Sequence, residues 1–393
     1  MNTAYILASY RTPCCRAHKG QLKDVRPDDL AAAAIAGLVE RTAIDPHQID
    51  DIILGCAFPE AEQGMNMARL ASLKAGLPYQ VPAQTINRFC ASGLQAIALA
   101  AERIIAGFAD CIIAGGAESM TMVPMIGNSY SANPGLTASQ PESYASMGIT
   151  AERLADTYAI DRQAQDEFAL ASHLKAATAQ SNGRFDDEII PVTTERVQHE
   201  HNKRIVTPLQ ISTDDGIRTT STIEDLAKLK PAFKVNGSVT AGNASQMSDG
   251  AAATLVVSER FLARLKQNPL AHFISYAVRG VPPEIMGIGP VEAVPAALKL
   301  AGLKQDDIDL IELNEAFAVQ ALAVIGDLHL NPDIINVNGG AIALGHPLGC
   351  TGAKLTASLL HEMPRRRARY GMVTMCIGGG MGAAGIFESL AGD

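Results

Sequence analysis

Apolar and polar residues alternate along the chain in two periods, one typical of helices and one typical of strands. Apolar positions recur at helical spacing over residues 92–106, a strand-like run over 83–87 precedes them, and Gly107 follows where a helix would end. An alanine-rich helix is predicted over 29–42, followed by a strand over 51–54. Strands that alternate with helices favour an α/β fold with a mainly parallel sheet covered by helices on both faces.

The chain also repeats itself at long range. Residues 49–54 (IDDIIL) resemble residues 308–313 (IDLIEL), and at the same offset Ser92-Gly93 falls on Thr351-Gly352. The strand-and-glycine run that starts at Cys111 has a counterpart starting at Val373, at a slightly larger offset. Three matches in the same order indicate two halves of similar βαβ architecture. Chance similarity between two α/β segments is the alternative.

A region of different character separates the two halves. From about residue 121 to residue 243 the chain is rich in Met, Ser, Thr and turn residues, with a long helix predicted over 161–182. An insertion of this length is too long for a simple loop. The pattern of strand followed by helix returns over 248–266. We therefore predict three parts, namely an N-terminal half over 1–120 that 248–268 completes, an inserted domain over 121–247, and a C-terminal half over 269–393.

Composition narrows the classes of protein to consider. With 47% hydrophobic and 19% charged residues among 393, the chain has the balance of a globular protein and not of a disordered one. Its formal net charge of −9 argues against a general nucleic-acid binder, although local cations and helix N-termini can still bind an anionic small ligand. Seven cysteines without a C-x-x-C pair favour neither a disulfide framework nor a metal site, so we expect a reducing compartment.

No targeting or membrane segment is evident in the pattern. The N-terminus leads directly into strand-like sequence, and charged residues interrupt the most apolar stretch, 94–117. The C-terminal Ala391-Gly392-Asp393 is not a peroxisomal address. We expect a cytoplasmic protein with no membrane partner.

Three glycine-rich segments carry reactive side chains at predicted element ends. Cys90 lies where a strand stops and a helix starts, and a helix N-terminus lowers a thiol pKa from its usual value of about 8.5. His346 lies between glycines and directly before Pro347, which suits the first position of a helix. Cys376 ends a β-pattern. Taken singly, each of these residues could equally be a buried structural residue.

Together these segments resemble the thiolase family. Cys90 in Asn-x-x-Cys-Ala-Ser-Gly, Asn314 in Asn-Glu-Ala-Phe-Ala, His346 in Gly-His-Pro and Cys376 in Cys-Ile-Gly match four family motifs in order. The likeness extends over nearly the whole chain, from residue 11 to residue 382. It implies the thiolase fold, an α/β fold of two similar βαβαβ-type halves with mixed sheets layered with helices, plus an inserted loop domain that binds coenzyme A.

The resemblance also implies a role for each residue. Cys90 would become acylated, and His346 would take its proton and help to bind the thioester oxygen. Asn314 would hold a water that completes this first oxyanion hole. Cys376 would exchange a proton with the acetyl-CoA carbanion, and the backbone N–H groups of Cys90 and Gly378 would form the second oxyanion hole. Coenzyme A is then a substrate, and neither a permanently bound cofactor nor a metal is expected.

The same resemblance predicts contacts to coenzyme A. Arg218 matches a position near the adenine, and Ser245 matches a serine that hydrogen-bonds the pantetheine arm. Other positions around that arm are matched by Phe233, Ala241, Met147, Ala316 and Phe317. Plain core packing is the alternative for the two phenylalanines. Family members are dimers or dimers of dimers, so we expect a homodimer or homotetramer whose ligands are acyl-CoA and coenzyme A.

Two activities within the family remain open. Short-chain thiolases often carry a His where this chain has Ser146, and residues 118–125 and 286–290 look more like degradative 3-ketoacyl-CoA thiolases. The alternative is a biosynthetic acetoacetyl-CoA thiolase. Acyl chain length, physiological direction and a hydratase or dehydrogenase partner subunit are left undecided.

Other classes fit less well. A papain-like protease would carry an aromatic residue after its nucleophile, where this chain has Ala91. A decarboxylating condensing enzyme would lack Cys376, and a non-catalytic lipid carrier on the same fold would be expected to lose one of the four motifs.

Overall fold

The computed structural model describes residues 2–200, 203–265 and 267–390, so the C-terminal residues 391–393 and the middle of the charged stretch over 195–203 lie outside it. The strands are β1 (Ala4–Arg11), β2 (Cys15–Arg16), β3 (Asp51–Gly55), β4 (Ala83–Ile86), β5 (Cys111–Ser119), β6 (Val192–Glu200), β7 (Lys203–Ile211), β8 (Ser248–Ser258), β9 (Ala271–Gly280), β10 (Leu310–Leu313), β11 (Tyr370–Ile377) and β12 (Met381–Ser389). The helices are α1 (Pro27–Thr42), α2 (Met67–Lys74), α3 (Ser92–Ile105), α4 (Pro134–Ser139), α5 (Met147–Tyr158), α6 (Arg162–Ser181), α7 (Ile223–Ala227), α8 (Glu259–Leu262), α9 (Gly289–Ala301), α10 (Ala318–Asp327), α11 (Ala341–Leu344) and α12 (Leu348–Arg366).

The two halves of the chain form two similar half-sheets. Along the main sheet the strand order is β10-β11-β12-β9-β1-β8-β5-β3-β4, with β2 paired to β8. Outward from the middle, β9-β12-β11-β10 mirrors β1-β8-β5-β3. The halves meet through a short pairing of β1 with β9, which joins Tyr5 to His272 and Ile6 to Ala271. The mirrored order is what two copies of one architecture would produce.

The mainly parallel sheet expected from the alternation of strands and helices is wrong, whereas the mixed sheet implied by the family resemblance is confirmed. Between the strands of the described sheet, parallel pairing is limited to β3 with β4, β3 with β5, and β10 with β11. Strands β8 and β12 pair antiparallel with both of their long neighbours. One cause is local, because β12 returns from β11 through a tight turn in which Gly379 and Gly380 adopt positive φ. The other is that β8 enters the sheet from the inserted region and not through a crossover helix. The sheet is therefore mixed.

Helices α3 and α12 lie at the centre of the molecule. They pack against each other and against strands of both halves. One face of the first half-sheet, including Ile53 and Ile112, packs on these two helices. The alternate residues Ile52 and Ile113 point the other way and pack on α1 and α2. In the second half, α9 covers the outer face. Both faces of the sheet are thus covered.

The region over 121–247 contains α4–α7 and the β6–β7 hairpin, and in the described residues it adds no strand to the main sheet. The helix predicted over 161–182 is α6, whose first turn is capped by the Asp161 side chain accepting from the Ala164 N–H. Domain boundaries at 121, 248 and 269 stay a prediction. Among the described residues, no helix is both long enough and apolar enough to cross a membrane.

Candidate active site

Cys90 lies in a single tight turn between β4 and α3. The turn is a short 3-10 helix, Phe89–Ala91, in which Phe89 adopts a φ of 43°. The Ser92 hydroxyl closes it by accepting from the Arg88 N–H at 2.8 Å and donating to the Phe89 carbonyl at 2.7 Å. A non-glycine residue in this backbone region costs about 1–3 kcal/mol and persists only where its surroundings enforce it. Such enforced backbone is common at functional sites.

The prediction that the Cys90 pKa is lowered is wrong. Burial raises the pKa of this thiol to about 11, and the Glu118 carboxylate adds to the rise. The backbone N–H groups of Gly378 and of Cys90 itself act in the opposite direction. Desolvation outweighs them because the side chain is only 9% exposed. At neutral pH the group is therefore a thiol, and it needs a base to become a nucleophile.

His346 follows Gly345, which ends α11 with a φ of 82°, and is 5% exposed. Its Nδ1 lies 2.6 Å from Thr351 Oγ1, and its Nε2 lies 3.3 Å from Asn314 Nδ2. Burial, assisted by the nearby Lys354 ammonium, lowers the pKa of this imidazole to about 3. His346 is consequently neutral at physiological pH and able to accept a proton. Pro347 precedes α12 as its N-cap, one position earlier than predicted.

Asn314 follows β10 and is fully buried. Its backbone N–H donates to the Thr374 carbonyl, which ties it to β11. Its side-chain Oδ1 is buried without a hydrogen-bond partner in the described part of the chain. A buried acceptor left unpaired costs about 1–3 kcal/mol. Next to His346, this oxygen is an acceptor available to a polar ligand group or a water.

Cys376 is the next-to-last residue of β11 and is fully buried. Burial raises the pKa of its thiol, and the second contribution to the rise comes from Cys90. That electrostatic effect requires the two sulfur atoms to lie near each other. The structure thereby brings together two thiols from opposite halves of the chain, and both hold their protons at neutral pH.

Several predicted coenzyme A contacts gather beside Cys376. Met147, Ala316 and Phe317 share an apolar cluster with it. Phe233, which is 41% exposed, packs edge-to-face on Phe317 with ring centroids 6.1 Å apart. These side chains bring α5 of the inserted region against the C-terminal half.

The other predicted contacts lie around or beyond this cluster. The Ser245 N–H donates to the Ala316 carbonyl at 3.0 Å, so Ser245 borders it directly. Ala241 and Arg218 are exposed and are not part of the cluster. The Arg218 N–H donates to Nδ1 of His173, a neutral histidine whose pKa burial lowers to about 4.

Glu118 is a site residue that sequence reasoning did not single out. Its buried carboxylate accepts hydrogen bonds from the backbone N–H groups of Ala57, Phe58 and Gly349, at 2.7–3.3 Å, and from the Gln63 side chain at 2.6 Å. It thereby joins the loop after β3 to the start of α12. The one signal in the sequence was an acidic residue near the end of an otherwise apolar strand.

Thr351 and Lys354 were also missed as neighbours of His346. Both are buried on α12, and Lys354 Nζ donates to the Gly345 carbonyl at 3.2 Å. The signal in the sequence was a lysine among the small and apolar residues that follow Gly349. Met120, in the segment 118–125, packs in the same apolar cluster as Cys90.

Two family models match the chain and together span most of it. "Thiolase, N-terminal domain" matches residues 4–260, and "Thiolase, C-terminal domain" matches residues 267–389. A curated relative, the 3-ketoacyl-CoA thiolase of Bacillus subtilis, is 55% identical over 99% of this chain and 100% of its own. The peroxisomal 3-ketoacyl-CoA thiolase 2 of Arabidopsis thaliana is 48% identical over 98% of this chain and 83% of its own.

Solved structures are similar over the same extent. The acetyl-CoA acetyltransferase of Bacillus anthracis has a TM-score of 0.89 and 41% identity, with 99% of each chain covered. Human mitochondrial 3-ketoacyl-CoA thiolase also has a TM-score of 0.89, with 38% identity and 99% of each chain covered.

Proposed function

This chain belongs to the thiolase family, and from that premise we propose that it works as a 3-ketoacyl-CoA thiolase of the degradative type. It is an acyltransferase that cleaves 3-ketoacyl-CoA with coenzyme A to acetyl-CoA and a shortened acyl-CoA, and the reaction is reversible. The observation that carries the site assignment is that the turn after Cys376 lies against the Cys90 turn: a Cβ at Gly378 would lie 4.0 Å from Phe89 Cδ2, and the Gly378 N–H acts on the Cys90 thiol. The reaction needs one group to attack the ketone and another to move a proton at carbon.

In the first half-reaction, Cys90 Sγ attacks the C3 ketone as His346 Nε2 takes the thiol proton. A tetrahedral adduct forms, and its collapse breaks the C2–C3 bond and leaves the electron pair on C2 of acetyl-CoA. Cys376 gives its proton to that carbon, and acetyl-CoA departs. The acyl chain stays on Cys90 as a thioester. The neutral imidazole of His346 and the protonated state of Cys376 support these two roles.

In the second half-reaction, the thiol of coenzyme A attacks the acyl thioester on Cys90. The Cys376 thiolate left by the first step takes the proton of the incoming thiol. The protonated His346 returns its proton to Cys90 Sγ as the acyl group leaves it. Both cysteines and the histidine then regain their starting protonation states, so protons and electrons balance over the cycle.

Two oxyanion sites are part of the proposal. His346 and a water held by Asn314 would bind the thioester oxygen of the departing acetyl-CoA. The backbone N–H groups of Cys90 and Gly378 would bind the oxygen of the acyl group on Cys90. The unpartnered Oδ1 of Asn314 supports the first, and the hydrogen-bonding influence of both N–H groups on the Cys90 thiol supports the second.

Coenzyme A is assigned to the inserted region as a substrate, with no resident cofactor proposed. The pantetheine arm would be lined by Ser245, by the residues that share the apolar cluster with Cys376 (Met147, Ala316 and Phe317), by Phe233 packed on Phe317, and by the exposed Ala241. Arg218 would lie at the adenine end. Arg218 is exposed and is not part of the apolar cluster, which is compatible with a ligand that extends from a buried thiol to the protein surface.

The degradative type is favoured over acetoacetyl-CoA synthesis by relatives' names and by one contact. The B. subtilis and A. thaliana relatives are named 3-ketoacyl-CoA thiolases. Met120 packs beside Cys90, and a flexible thioether can accommodate acyl chains of different length. Ser146 at the N-cap of α5 is exposed, where many short-chain relatives carry a His.

A covalent acyl enzyme tests the site assignment. After mixing with a 3-ketoacyl-CoA, peptide mass spectrometry should find the acyl group on the peptide that contains Cys90, and the kinetics should be ping-pong. The Cys376→Ala enzyme should lose thiolysis. Label on Cys376 alone, or near-native thiolysis by Cys376→Ala, would contradict the roles.

A ladder of 3-ketoacyl-CoA lengths tests the degradative type. Each buried CH₂ contributes up to about 0.8 kcal/mol, so kcat/KM should rise several-fold over the first added carbons and then level off. A maximum at the four-carbon substrate followed by a steep fall would support the acetoacetyl-CoA alternative instead.

Self-association is proposed from the exposed apolar residues near the edge of the sheet. Strand β4 ends the described sheet, and Met65 and Ile126, which lie 89% and 61% exposed, occupy neighbouring loops joined by a bond from the Asn128 N–H to Glu60. Light scattering should give a homodimer or homotetramer that the Met65→Lys change weakens; a monomeric parent enzyme would contradict this.

A cytoplasmic location is also proposed, supported by seven free cysteines.

A further inference from the structure

Thr351 makes the shortest contact to His346, and it has no place in the reaction scheme above. It lies in the first turn of α12, fully buried, with its Oγ1 2.6 Å from His346 Nδ1. The same oxygen donates a hydrogen bond to the Pro347 carbonyl at 2.9 Å. The hydroxyl therefore lies between a backbone carbonyl and one ring nitrogen.

Counting protons determines the direction of each bond. A threonine hydroxyl has one proton, and a backbone carbonyl can only accept. At 2.9 Å from the Pro347 carbonyl, the Thr351 proton has to lie between the two oxygens, since otherwise two lone pairs would face each other. The contact to His346 Nδ1 then needs its proton from the ring. A neutral imidazole has one N–H, so Nε2 keeps its lone pair.

We propose that Thr351 is a positioning residue that holds His346 in the tautomer protonated at Nδ1, the form whose Nε2 can act as the base toward Cys90. This inference rests on the base role proposed above for His346. Thr351 itself touches no reacting atom. Its effect is to decide which nitrogen of His346 is free and where the ring points.

The other side of the ring agrees independently. His346 Nε2 lies 3.3 Å from Asn314 Nδ2, a group that only donates. In the opposite tautomer, an Nε2–H would face this N–H donor. Nδ1 would then have no proton to donate to Thr351. Both neighbours thus select the same tautomer. Burial lowers the pKa of His346 to about 3, which keeps the ring neutral so that tautomer choice matters at physiological pH.

Proton transfer leaves the Thr351 side of this arrangement intact, while on the other side the protonated Nε2 can no longer accept from the Asn314 N–H. When Cys90 passes its proton to Nε2, the imidazolium keeps its Nδ1–H on Thr351 Oγ1. That bond becomes charge-assisted and stronger, so it stabilises the protonated base. The new Nε2–H then faces the site as a donor. No proton moves through Thr351 at any step.

Three substitutions on one helix test the proposal. Thr351→Val keeps the shape and removes the hydroxyl, and Thr351→Ser keeps the hydroxyl. Thr356→Val is the matched control, because Thr356 is also fully buried on α12 and its hydroxyl donates to the Gly352 carbonyl at 2.8 Å, four residues back, in the same way. In the described structure it has no bond to a histidine.

The first readout is the tautomer itself, measured on substrate-free protein by long-range ¹H–¹⁵N correlation with ¹⁵N-histidine labelling. The His346 signals are assigned by their loss in His346→Gln. The parent, Thr351→Ser and Thr356→Val should show the Nδ1–H form, and Thr351→Val should shift toward Nε2–H. A parent enzyme in the Nε2–H form would overturn the proposal, and this holds even if Thr351→Val fails to fold.

The second readout is turnover. A general base contributes about 10²–10⁴ to rate, so Thr351→Val should lower kcat by about 10²-fold or more with little change in KM. Thr351→Ser should recover most of that loss, and Thr356→Val should lose little. Equal kcat losses for Thr351→Val and Thr356→Val, or an unchanged tautomer in Thr351→Val, would contradict the proposal. Absence of thiolysis in the parent would refute the proposed function and leave the tautomer result standing.

Discussion

At the scale of single residues, the candidate site keeps its protons in place until a substrate arrives. Burial raises the pKa of Cys90 to about 11 and lowers that of His346 to about 3. Because a proton moves toward the group with the higher pKa, a thiolate–imidazolium pair is disfavoured in the resting protein. In the proposed reaction, proton transfer then has to accompany attack on the ketone, when the charge on sulfur is consumed by the new bond.

The Cys90 pKa predicts a specific pH dependence of alkylation. Below its pKa, the thiolate fraction of a cysteine rises about tenfold per pH unit. The rate of Cys90 alkylation by iodoacetamide should therefore still be rising above pH 9, past the ordinary thiol pKa of about 8.5. Peptide mapping with Cys90→Ala as the control identifies the modified site. A rate that levels off below pH 8 would show that the N–H groups outweigh burial.

Glu118 should matter both to stability and to Cys90. Its carboxylate accepts four bonds from N–H donors and a fifth, at 3.9 Å, from the Cys56 thiol, so Glu118→Gln puts an amide N–H₂ against donors and loses acceptor capacity. Hydrogen bonds to charged groups are worth about 1.5–3 kcal/mol, and we expect at least about 2 kcal/mol of lost unfolding free energy.

Removing the Glu118 charge should also move the alkylation profile of Cys90 to lower pH, since this carboxylate raises the thiol pKa. Urea denaturation and iodoacetamide kinetics check the two effects. Glu62→Gln, on the same loop as Gln63, is the control and should change neither. A profile that moved to higher pH would contradict the electrostatic assignment.

At the scale of secondary-structure elements, the site depends on how closely α3 and α12 approach. A Cβ at Gly93 would come within 2.7 Å of the Ala353 backbone nitrogen, and one at Gly352 within 2.3 Å of the Leu94 backbone nitrogen. These glycines lie at the positions matched by the internal repeat. They let the N-terminal turns of both helices meet where Cys90 and His346 are presented.

Gly352→Ala should therefore separate the two helices. Overpacking of a core costs about 1–3 kcal/mol, and a shift of this order at the helix starts should also reduce kcat. The matched control is Gly326→Ala on α10, where a Cβ meets nothing within 4 Å. That change should stabilise the protein by about 0.4–1 kcal/mol without affecting turnover. Thermal unfolding and thiolysis rates measure both, and equal effects of the two changes would refute the close-approach argument.

At the scale of the whole molecule, a buried arginine connects the inserted region to the main sheet. Arg11 on β1 forms two bonds to the Asp214 carboxylate and one of 2.5 Å to Glu188. All three side chains are almost fully buried. Glu188 also accepts from Ser358 of α12 at 2.9 Å. This cluster fixes the inserted region relative to the helix that starts beside His346.

Arg11→Met should destabilise the protein strongly, because it leaves two carboxylates buried without their partner. Losing one member of a buried ion pair costs about 3–5 kcal/mol. Arg26→Met is the control, since Arg26 also forms two hydrogen bonds to one carboxylate, that of Asp28. This pair lies at the surface, where ion pairs contribute about 0–1 kcal/mol. Urea denaturation compares the two, and similar losses would show that burial of the Arg11 cluster is not decisive.

The sequence by itself determined the local elements and the reactive residues. Helical and strand periods are local, so α3, α6 and β3 were predicted to within a few residues of their observed ends. Cys90, His346 and Cys376 were predicted from short motifs at element ends. The repeat also indicated two similar halves, because each half carries its own copy of the pattern.

Only the tertiary structure decided the rest. Antiparallel pairing of β8 and β12 depends on where each strand re-enters the sheet, which no local period records. The pKa of Cys90 is raised because residues distant in the chain exclude water from the thiol. A short sequence motif does not show which residues these are. The contact of Thr351 with His346 depends on the path of the turn before α12, which folding alone sets. Residue chemistry is local, whereas proximity, burial and protonation belong to the folded chain.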